Sequence, residues 1–509
     1  MRTQAGWGWL SAVFLLACPP GRTGRNAAET PRSTTISVFM LAELGGTIEP
    51  CGCNSSPLGD LARLAQLLRA EQKEHPVLLL DGGSTLFRAA QIDPARQRQE
   101  ALKADLIARV LPELGLGAAG LGPSDLAEGT LGARLARQAA NVRAAAGLVL
   151  EPPKIIDVGG VRVGVFGVVD PEHVAGASLH ASDPEDAARS AIAELRQKNA
   201  HVLVGLLHMD MRHARLLARH APGADFLLVG QGAPDPSRGQ ALFRYDRVDS
   251  TFLLQPANQG QVVARLELHT TGAPGAFVDA IGTARAQERV TELDKDMAKL
   301  TAQLAAWAND PSADKNFIAQ KKAAADQLKK ERSELLATPL RRPSQGNWFV
   351  ADFVPVRHAL GCDRAVQAQK QEYDRSVAEA NLAAAVHKEP LPIPEDGVGY
   401  VGAEECAFCH KAAVAFWRTT RHAHAWQTLV DVNKQYDREC IYCHVTGFEK
   451  PGGAVLAKTM HAKDVQCEMC HGPASRHVAQ DGKEKPRSLT LRPARDVCFL
   501  SCHTPEHSD

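Results

Sequence analysis

The sequence predicts a multidomain chain with an α/β domain, a helical hairpin connector and a C-terminal domain of short helices and loops. Over residues 36–285 short apolar runs alternate with helical segments, whereas residues 286–386 carry apolar side chains at spacings of three and four. Eight of the 12 cysteines fall within residues 398–509. The 509 residues suit about three domains of ~150 residues, and the zero formal net charge argues against nucleic acid as a partner.

The first 18 residues are typical of an export signal. Arg2 supplies a positive charge, and the apolar stretch that follows is too short to span a membrane. It ends in Leu15-Leu16-Ala17-Cys18, which resembles the lipobox of bacterial lipoproteins. The resemblance implies cleavage before Cys18, lipidation of its thiol and a periplasm-facing location in the bacterial cell envelope, at the inner or the outer membrane. An ordinary cleaved signal is the alternative, and residues 19–35 are predicted to be a flexible tether.

Residues 36–285 are predicted to form a sheet covered by helices on both faces. Strand-length apolar runs lie at 36–41, 77–80, 161–169, 202–207 and 226–230, with helices predicted at 58–74 and 183–198. The segment 154–168 predicts a hairpin that turns at Gly159-Gly160.

The connector, residues 286–386, is predicted to be helical. Its first helix has an apolar seam formed by Val290, Leu293, Met297, Leu300, Leu304 and Trp307. A second helix at 314–336 completes an antiparallel hairpin, and a third is predicted at 364–385. The Pro-rich residues 387–397 then form a stiff linker into the last domain, residues 398–509.

Four motifs in the last domain place a histidine directly after the second of two cysteines. Three have two residues between the cysteines, and the fourth has three; the motifs are Cys406/Cys409/His410, Cys440/Cys443/His444, Cys467/Cys470/His471 and Cys498/Cys502/His503. The first three match the attachment signature of c-type haem, in which two thiols bind the porphyrin edge and the histidine binds iron. The fourth fits with a bulged loop. Zinc sites, thioredoxin-like redox pairs and disulfide frameworks do not require that histidine each time.

We therefore predict four covalent haems with proximal ligands His410, His444, His471 and His503. The other histidines of the domain are candidate distal ligands, and these are His422, His424, His461, His477 and His507. Because a spacing of two directs His422 and His424 to different faces of a helix, we expect one of them to reach a given iron. His422 and His477 are the favoured candidates.

The C-terminal domain resembles the tetrahaem cytochromes of the nitrifier cytochrome c-554 type. The segments that carry the resemblance are 401–410, 417–425, 440–448 and 465–473, including Cys406-Ala-Phe-Cys409-His410 and Cys467-Glu-Met-Cys470-His471-Gly472-Pro473. The resemblance implies closely stacked haems that pass electrons and covers about the last fifth of the chain. Four covalent haems would supply much of the core of so short a domain.

The order of segments in residues 36–285 resembles the metallophosphoesterase domain of the 5′-nucleotidase family, which implies a sandwich fold. The landmarks are Gly45-Gly-Thr-Ile-Glu-Pro50, Leu79-Leu80-Asp81-Gly-Gly83, Asn141-Val142, Val161-Arg-Val-Gly-Val-Phe-Gly167 and Leu206-Leu-His208. That family uses two metals about 3.5–4 Å apart to activate water and clamp phosphate.

At the family's metal-ligand positions this chain departs from the pattern. Glu43, Ser84, Ser124 and the segment 231–233 replace ligands, and only His208 keeps its residue type. We therefore predict a pseudo-phosphatase domain that has lost its dimetal centre and contributes no catalytic residue.

Besides Cys18 and the eight cysteines of the haem motifs, three cysteines remain. Cys51 and Cys53 are too close for a comfortable disulfide with each other, so we predict that one of them pairs with Cys362. A metal-binding or thiol-redox role is the alternative.

We predict a membrane-anchored extracytoplasmic cytochrome that exchanges electrons with redox partner proteins, with the pseudo-phosphatase domain as scaffold or docking module. The first alternative is an oxidoreductase that acts on a small nitrogen or oxygen species at an open haem. The second is an active 5′-nucleotidase-type phosphoesterase.

Overall fold

The computed structural model describes residues 34–50, 57–127, 134–143, 147–175, 179–231, 243–280, 283–308, 315–337, 343–395, 397–458, 460–483, 486–499 and 501–503. The predicted signal peptide with Cys18 lies outside these residues, as do Cys51, Cys53 and His507. The last two residues of the predicted tether belong to the first strand, which therefore begins earlier than predicted.

The first sheet has eight strands: β1 (Thr34–Leu41), β2 (Val77–Asp81), β3 (Leu116–Gly120), β4 (Arg137–Gln138), β5 (Leu150–Glu151), β12 (Val262–Thr270), β13 (Phe277–Asp279) and β14 (Asn347–Pro355). Their order is β13-β14-β12-β1-β2-β3-β4-β5. Strand β1 runs parallel to β2 and antiparallel to β12, so the centre of the sheet is mixed.

The second sheet has six strands: β6 (Lys154–Val158), β7 (Val161–Val169), β8 (Val202–His208), β9 (Phe226–Val229), β10 (Arg244–Val248) and β11 (Thr251–Gln255). Their order is β10-β11-β9-β8-β7-β6. The predicted hairpin is confirmed, because β6 and β7 pair antiparallel across Gly159 and Gly160, which both have positive φ as this tight turn requires.

The two sheets pack face to face. In β1, Ile36, Val38 and Met40 join the apolar cluster between the sheets, whereas Phe39 and Leu41 join a cluster beneath helices on the other side. The predicted α/β class is confirmed, but the prediction of one sheet with helices on both faces is corrected. Each sheet has helices on its outer face only, because its inner face is buried against the other sheet.

The helices of this sandwich are α1 (Leu61–Glu71), α2 (Gln97–Glu113), α3 (Pro171–Val174), α4 (Pro184–Gln197) and α5 (Met211–His220). The first two cover the eight-stranded sheet, and the last two cover the six-stranded sheet. Aspartates begin α1 and α4, since the Asp60 and Asp183 carboxylates accept backbone N–H groups of the first turn.

The predicted helical hairpin consists of α6 (Thr283–Ala308) and α7 (Lys315–Ala337), and α8 (Arg364–Ala385) is the predicted third helix. The prediction of an entirely helical connector is corrected at β14, where aromatic and β-branched residues pair with β12 in the first sheet. Helix α8 also packs onto α1 and α2 through Val366, Tyr373 and Val377, so it belongs to the outer layer of the sandwich.

The C-terminal region consists of short helices and loops, as predicted. Its helices are α9 (Ala403–Ala407), α10 (Lys411–Trp417), α11 (Ala425–Val430), α12 (Ile441–His444), α13 (Cys467–His471), α14 (Ser475–Ala479) and α15 (Arg495–Phe499). Its apolar cluster of buried residues has seven members, of which one, Ala385, is the last residue of α8. None of the helices in the described ranges is apolar over a length that would cross a bilayer.

Candidate haem sites and the former metal site

Each Cys-His motif includes part of a short helix, and in the second and third motifs that helix extends to the histidine. In the first motif the His410 N–H donates to the Cys406 carbonyl at 2.9 Å, a normal helical turn. In the fourth motif the His503 N–H donates at 2.8 Å to the carbonyl of Cys498, five residues back. The wider turn accommodates the extra residue, so the bulged loop predicted for this motif has a structural counterpart.

The four motifs lie in two adjacent pairs. The Cys406 thiol hydrogen-bonds to Cys467, which raises the pKa of Cys406 and lowers that of Cys467 to about 7. Cys443 is likewise hydrogen-bonded to Cys502, which lowers the pKa of Cys502 to about 7. The first motif therefore meets the third, and the second meets the fourth.

The two favoured distal candidates, His422 and His477, each lie opposite a proximal histidine. The ring centroids of His410 and His477 are 6.3 Å apart with an interplanar angle of 21°, and those of His503 and His422 are 6.2 Å apart at 60°. An imidazole nitrogen binds a metal at about 2 Å and lies about 1 Å from its ring centroid, so two imidazoles on one iron have centroids about 6 Å apart. Both pairs have this spacing.

The other two proximal histidines are oriented through Nδ1. His444 Nδ1 lies 2.6 Å from the Ala425 carbonyl oxygen, and His471 Nδ1 lies 2.8 Å from that of Thr490. Such a bond fixes the tautomer, with hydrogen on Nδ1 and the lone pair of Nε2 available to a metal. With the hydrogen on Nδ1, the Nε2 atom of each residue would be the one to bind iron.

Two weaker distal candidates have other surroundings. His461 Nε2 lies 2.9 Å from the Gly452 carbonyl oxygen, so this nitrogen is a donor to backbone. His424 ends the 3₁₀ turn Arg421–His424, which also carries His422. Burial raises the pKa of Asp464, and the nearby His424 only partly opposes that rise. The structure thus separates these two histidines from His422 and His477.

The surfaces around the motifs fit bound porphyrin. Phe408 and Phe499, both between motif cysteines, are 77% and 53% exposed, and nearby Phe416 is 72% exposed. A cavity of about 2400 Å³ is lined by Cys440, Cys443, His444, Cys498, Cys502 and His503, among others. This volume exceeds the about 300–1,000 Å³ of ordinary small-ligand pockets. Thiols and imidazoles of the second and fourth motifs, with the rings of Tyr442 and Phe448, therefore border a space large enough for macrocycles.

The predicted remnants of the dimetal centre do come together at the ends of β2 and β8. The His208 Nε2 is 3.3 Å from the Ser84 Oγ and 3.7 Å from a Glu43 carboxylate oxygen, while its Nδ1 is 2.9 Å from the His173 Nδ1. Burial, and then the neighbouring His173, lower the pKa of His208 to about 3. His208 is therefore neutral at physiological pH.

A buried ion pair lies beside this cluster. The Asp125 carboxylate accepts the backbone N–H groups of Ser84 (2.6 Å), Thr85 (2.9 Å) and Gly122 (2.8 Å) and is 3.0 Å from the Arg137 guanidinium. Both side chains of the ion pair are fully buried. Asp125 thus holds these three backbone N–H groups at the place where the related family has metal ligands.

The backbone closes tightly over the same place. A Cβ on Gly122 would lie 2.2 Å from the Ser84 Oγ, and one on Gly82 would lie 2.3 Å from the Gly230 Cα. Within the described ranges, no group of three His, Cys, Asp or Glu side chains could hold a metal ion. The residues present, with Ser124 in the 3₁₀ turn Pro123–Ala127, do not fit the two-metal centre of the related family.

Asp81 is a residue of this site that sequence reasoning used only as a landmark. Its carboxyl is buried at the end of β2, where Oδ1 accepts the Thr85 hydroxyl at 2.6 Å and the Gly83 N–H at 2.9 Å. Burial raises the pKa of Asp81 to about 6, against the opposing effects of these bonds and of Arg137. Its position after an apolar strand was the available signal.

Asp125, Arg137 and His173 were also missed as site residues. Arg137 lies in a two-residue strand, and His173 lies in the short helix α3, so neither has a periodic pattern that would assign it to the site. Cys362 is exposed, and no disulfide joins it to another cysteine of the described ranges. Because Cys51 and Cys53 lie outside the described residues, the pairing proposed for these cysteines stays a prediction.

Comparisons with known proteins agree with the two predicted resemblances. Residues 405–472 match the family model "Cytochrome c554 and c-prime". Cytochrome c-554 from Nitrosomonas europaea is 29% identical over 134 residues, covering 20% of this chain and 57% of the relative. The predicted cytochrome c-554-type domain at the C-terminus is confirmed.

Among solved structures, the chain is similar to a 5′-nucleotidase precursor from Thermus thermophilus, with a TM-score of 0.46, 16% identity and coverage of 70% of this chain and 61% of that one. It is also similar to the Thermus thermophilus sulfate thiohydrolase SoxB, with a TM-score of 0.43, 13% identity and coverage of 86% and 74%. The chain thus spans 57% of the curated relative and 61% of the nucleotidase.

Proposed function

We propose that this chain, whose C-terminal region is a cytochrome c554-type domain, is a membrane-anchored electron carrier with four covalent haems. The observation that carries the proposal is the pairing of His410 with His477 and of His503 with His422 at the spacing of two imidazoles on one iron. Two such ligands leave no iron position for a substrate and favour electron transfer.

The haem-binding residues have separable tasks. The eight motif cysteines would hold the porphyrins by thioether bonds, and the four motif histidines would bind iron. Haem supplies one-electron redox chemistry when bound. The Ala425 and Thr490 carbonyls hold the tautomers of His444 and His471. Each of the two histidine pairs would supply two imidazoles to one iron.

The sandwich would serve as a scaffold rather than a phosphoesterase. Its former metal site contains a neutral His208 and an Asp125 carboxylate already occupied by Arg137 and three backbone N–H groups. Purified protein should therefore release no phosphate from nucleotides with added Mn²⁺. Manganese-dependent release would overturn this part of the proposal.

The lipid anchor remains a proposal that rests on the Leu15-Leu16-Ala17-Cys18 sequence. Cells that express the full chain should incorporate a labelled fatty acid into it and retain it in the membrane fraction. Cys18→Ser should abolish the label and release the protein, whereas Cys362→Ser should change neither. Labelled Cys18→Ser protein would contradict lipidation at this residue.

The decisive experiment is the mass of protein matured with the c-type haem machinery. We expect four haems per chain, one on each peptide that contains a motif, and Soret and α bands in the optical spectrum. Cys498→Ser with Cys502→Ser should remove one haem, while Cys362→Ser should remove none. A matured chain without motif-bound haem would refute the proposal.

A second function, reaction of a small nitrogen or oxygen species at an open haem, is favoured by one observation. Within the described ranges the imidazole pairs at iron-ligand spacing involve His410 and His503, whereas His444 lines the large cavity without another imidazole at that spacing. Carbon monoxide added to the reduced protein tests it. Binding to one haem of four would support this function, and no spectral change would exclude it.

A further inference from the structure

The loop before the second haem motif is held by the sandwich. The Gln99 side chain of α2 donates to the Asp437 carboxylate at 2.6 Å, and its carbonyl accepts the Arg438 N–H at 3.1 Å. The Asn381 amide of α8 donates to the side-chain carbonyl of Gln99 and to the backbone carbonyl of Tyr436, both at 2.9 Å. Gln99, Asn381 and Asp437 are all buried. Two helices of the sandwich thus fix the residues just before Cys440.

Charged groups of the sandwich surround the same loop. The Glu439 carboxylate is 2.8 Å from the Lys103 ammonium and also pairs with Arg96, while Lys103 is 3.4 Å from Glu100. Lys434 is 2.8 Å from Asp374 of α8 and pairs with Glu49. Lys103 is almost fully buried, so these interactions act at low dielectric. The charges facing the second motif come largely from the other domain.

Among the carboxylates around this loop, Asp437 is the one whose negative charge is least compensated by a cation. Its carboxylate accepts hydrogen bonds from two neutral groups, the Gln99 amide and the Glu439 N–H at 2.7 Å, and no ion pair joins it to another residue of the described ranges. Burial raises the pKa of Asp437, and the adjacent Glu439 charge raises it further, against the lowering effects of Lys434 and Lys103. Tyr373, Arg96 and the Cys440 thiol also sense this carboxylate.

Glu439 behaves in the opposite way. Burial acts to raise the pKa of Glu439, but Lys103 and Arg96 outweigh it and the pKa lies below its ordinary value. Glu439 therefore stays ionised, and Asp437 is the carboxylate of the two that can accept a proton.

Asp437 is also close to the haem attachment point. Its backbone carbonyl accepts the N–H of Cys440 at 3.1 Å and that of Ile441 at 2.9 Å, and its charge raises the pKa of the Cys440 thiol, though burial contributes more. A charge on Asp437 therefore acts on the atoms that would carry the porphyrin.

We infer that Asp437, held by the sandwich, takes up a proton when the haem bound to Cys440 and Cys443 is reduced. The inference rests on the proposed haem at the second motif. One electron comes from a one-electron donor protein and one proton comes from water. The added electron lowers the charge of the site by one, and protonation of the carboxylate restores it, so the O–H bond on Asp437 is the only bond formed.

The test is a redox titration of the full-length, haem-loaded protein at several pH values with small-molecule mediators. One of the four haems should show a potential that falls as pH rises, by up to about 59 mV for each tenfold decrease in proton concentration. In Asp437→Asn, which keeps the acceptor oxygen for Gln99, this dependence should be lost and the potential should stay near its value at low pH. The other three potentials should not move.

Asp431→Asn is the matched control, because Asp431 is an exposed carboxylate of the same region that accepts only a Gln427 side-chain bond at 2.8 Å. It should retain the pH dependence. Lys103→Met is a second variant in case Asp437→Asn does not mature. Loss of this buried cation should favour protonation and move the pH-dependent range upward.

Three outcomes would overturn the inference: an unchanged slope in Asp437→Asn, equal shifts of all four potentials, or an unmoved range in Lys103→Met. Cys440→Ala, which leaves one thioether and shifts the α band of one haem, identifies the haem concerned. Failure of the proposed function is distinguishable, because the mass of the Cys440–Cys443 peptide would then show no haem.

Discussion

The sandwich and the C-terminal region are stabilised by different means. The sandwich buries large apolar clusters between its two sheets and beneath the helices on each outer face. The C-terminal region contributes six residues to a small buried apolar cluster that Ala385 of α8 completes, and it leaves aromatic side chains exposed beside its cysteine motifs. A short segment with so small a core needs additional stabilisation, which covalent cofactors can supply. The sandwich is therefore stabilised mainly by its own apolar side chains, whereas the C-terminal region depends on haem for much of its core.

Polar groups are also buried differently in the two regions. In the sandwich, Arg137 and Asp125 form a fully buried ion pair next to the former metal site. In the tail, the buried Glu468 carboxylate accepts the N–H groups of Val401, Gly402 and Ala474 at 2.8–3.0 Å. The Arg137–Asp125 pair joins elements that already pack in a large apolar core. The hydrogen bonds of Glu468 join loops that bury few apolar side chains.

Loss of one haem should have the largest effect and should be confined to the tail. In Cys467→Ala with Cys470→Ala, we expect residues 398–509 to be cleaved by protease on the order of 100-fold faster, because local opening costs less without the porphyrin. The sandwich should keep its cooperative unfolding transition. Limited proteolysis with mass spectrometry measures both.

Cys362→Ala is the control for this experiment, since Cys362 is exposed and lies outside the motifs. Cleavage of the sandwich at the same accelerated rate would show that the two regions fold as one unit and would break the comparison.

Arg137→Met should have the next largest effect, in the sandwich alone. It leaves the Asp125 charge buried without its partner, which costs about 3–5 kcal/mol of unfolding free energy. Urea denaturation of the sandwich should show this loss, while haem spectra stay unchanged. Arg189→Met, which breaks an exposed pair with Asp186 at 2.5 Å, should cost less than about 1 kcal/mol. Equal losses in the two variants would contradict the assigned role of Arg137.

Asp81→Asn should stabilise the sandwich in a pH-dependent way. The folded-state pKa of Asp81 is about 6 against 3.8 in the unfolded chain, so its contribution to stability is present below pH 4 and is lost as pH rises to 6. The asparagine should therefore add up to about 3 kcal/mol above pH 6 and nothing at pH 4. Urea midpoints at the two pH values check this, and equal gains at both would refute it.

Replacement of an axial histidine should have the smallest effect, on one haem and on neither fold. His477→Met should raise the potential of one haem by a fraction of the about 0.8 V that axial ligands span. His461→Met should leave all potentials unchanged, because its ring bonds to the Gly452 carbonyl. Redox titration distinguishes the two, and an effect of His461→Met alone would reverse the assignment.

Sequence reasoning located the strands of the sandwich well where apolar runs were long. The predicted runs at 161–169 and 202–207 became β7 and β8 almost residue for residue. It failed to separate the two sheets, because a strand buried on both faces has the same apolar pattern whether its cover is a helix or another sheet. It also missed β14, which is mostly half-buried and lies between two helical segments. Asp125 and Arg137 were missed because they meet only when the 3₁₀ turn Pro123–Ala127 packs against β4, which the local sequence pattern does not indicate.

The sequence by itself determined the haem motifs and their proximal histidines, because thioether attachment needs cysteines and histidine within one helical turn. Only the tertiary structure decided that His410 faces His477, that His503 faces His422, and that Gln99 grips the loop before Cys440. These partners are distant along the chain. Their approach is set by packing between segments, which local spacing does not encode.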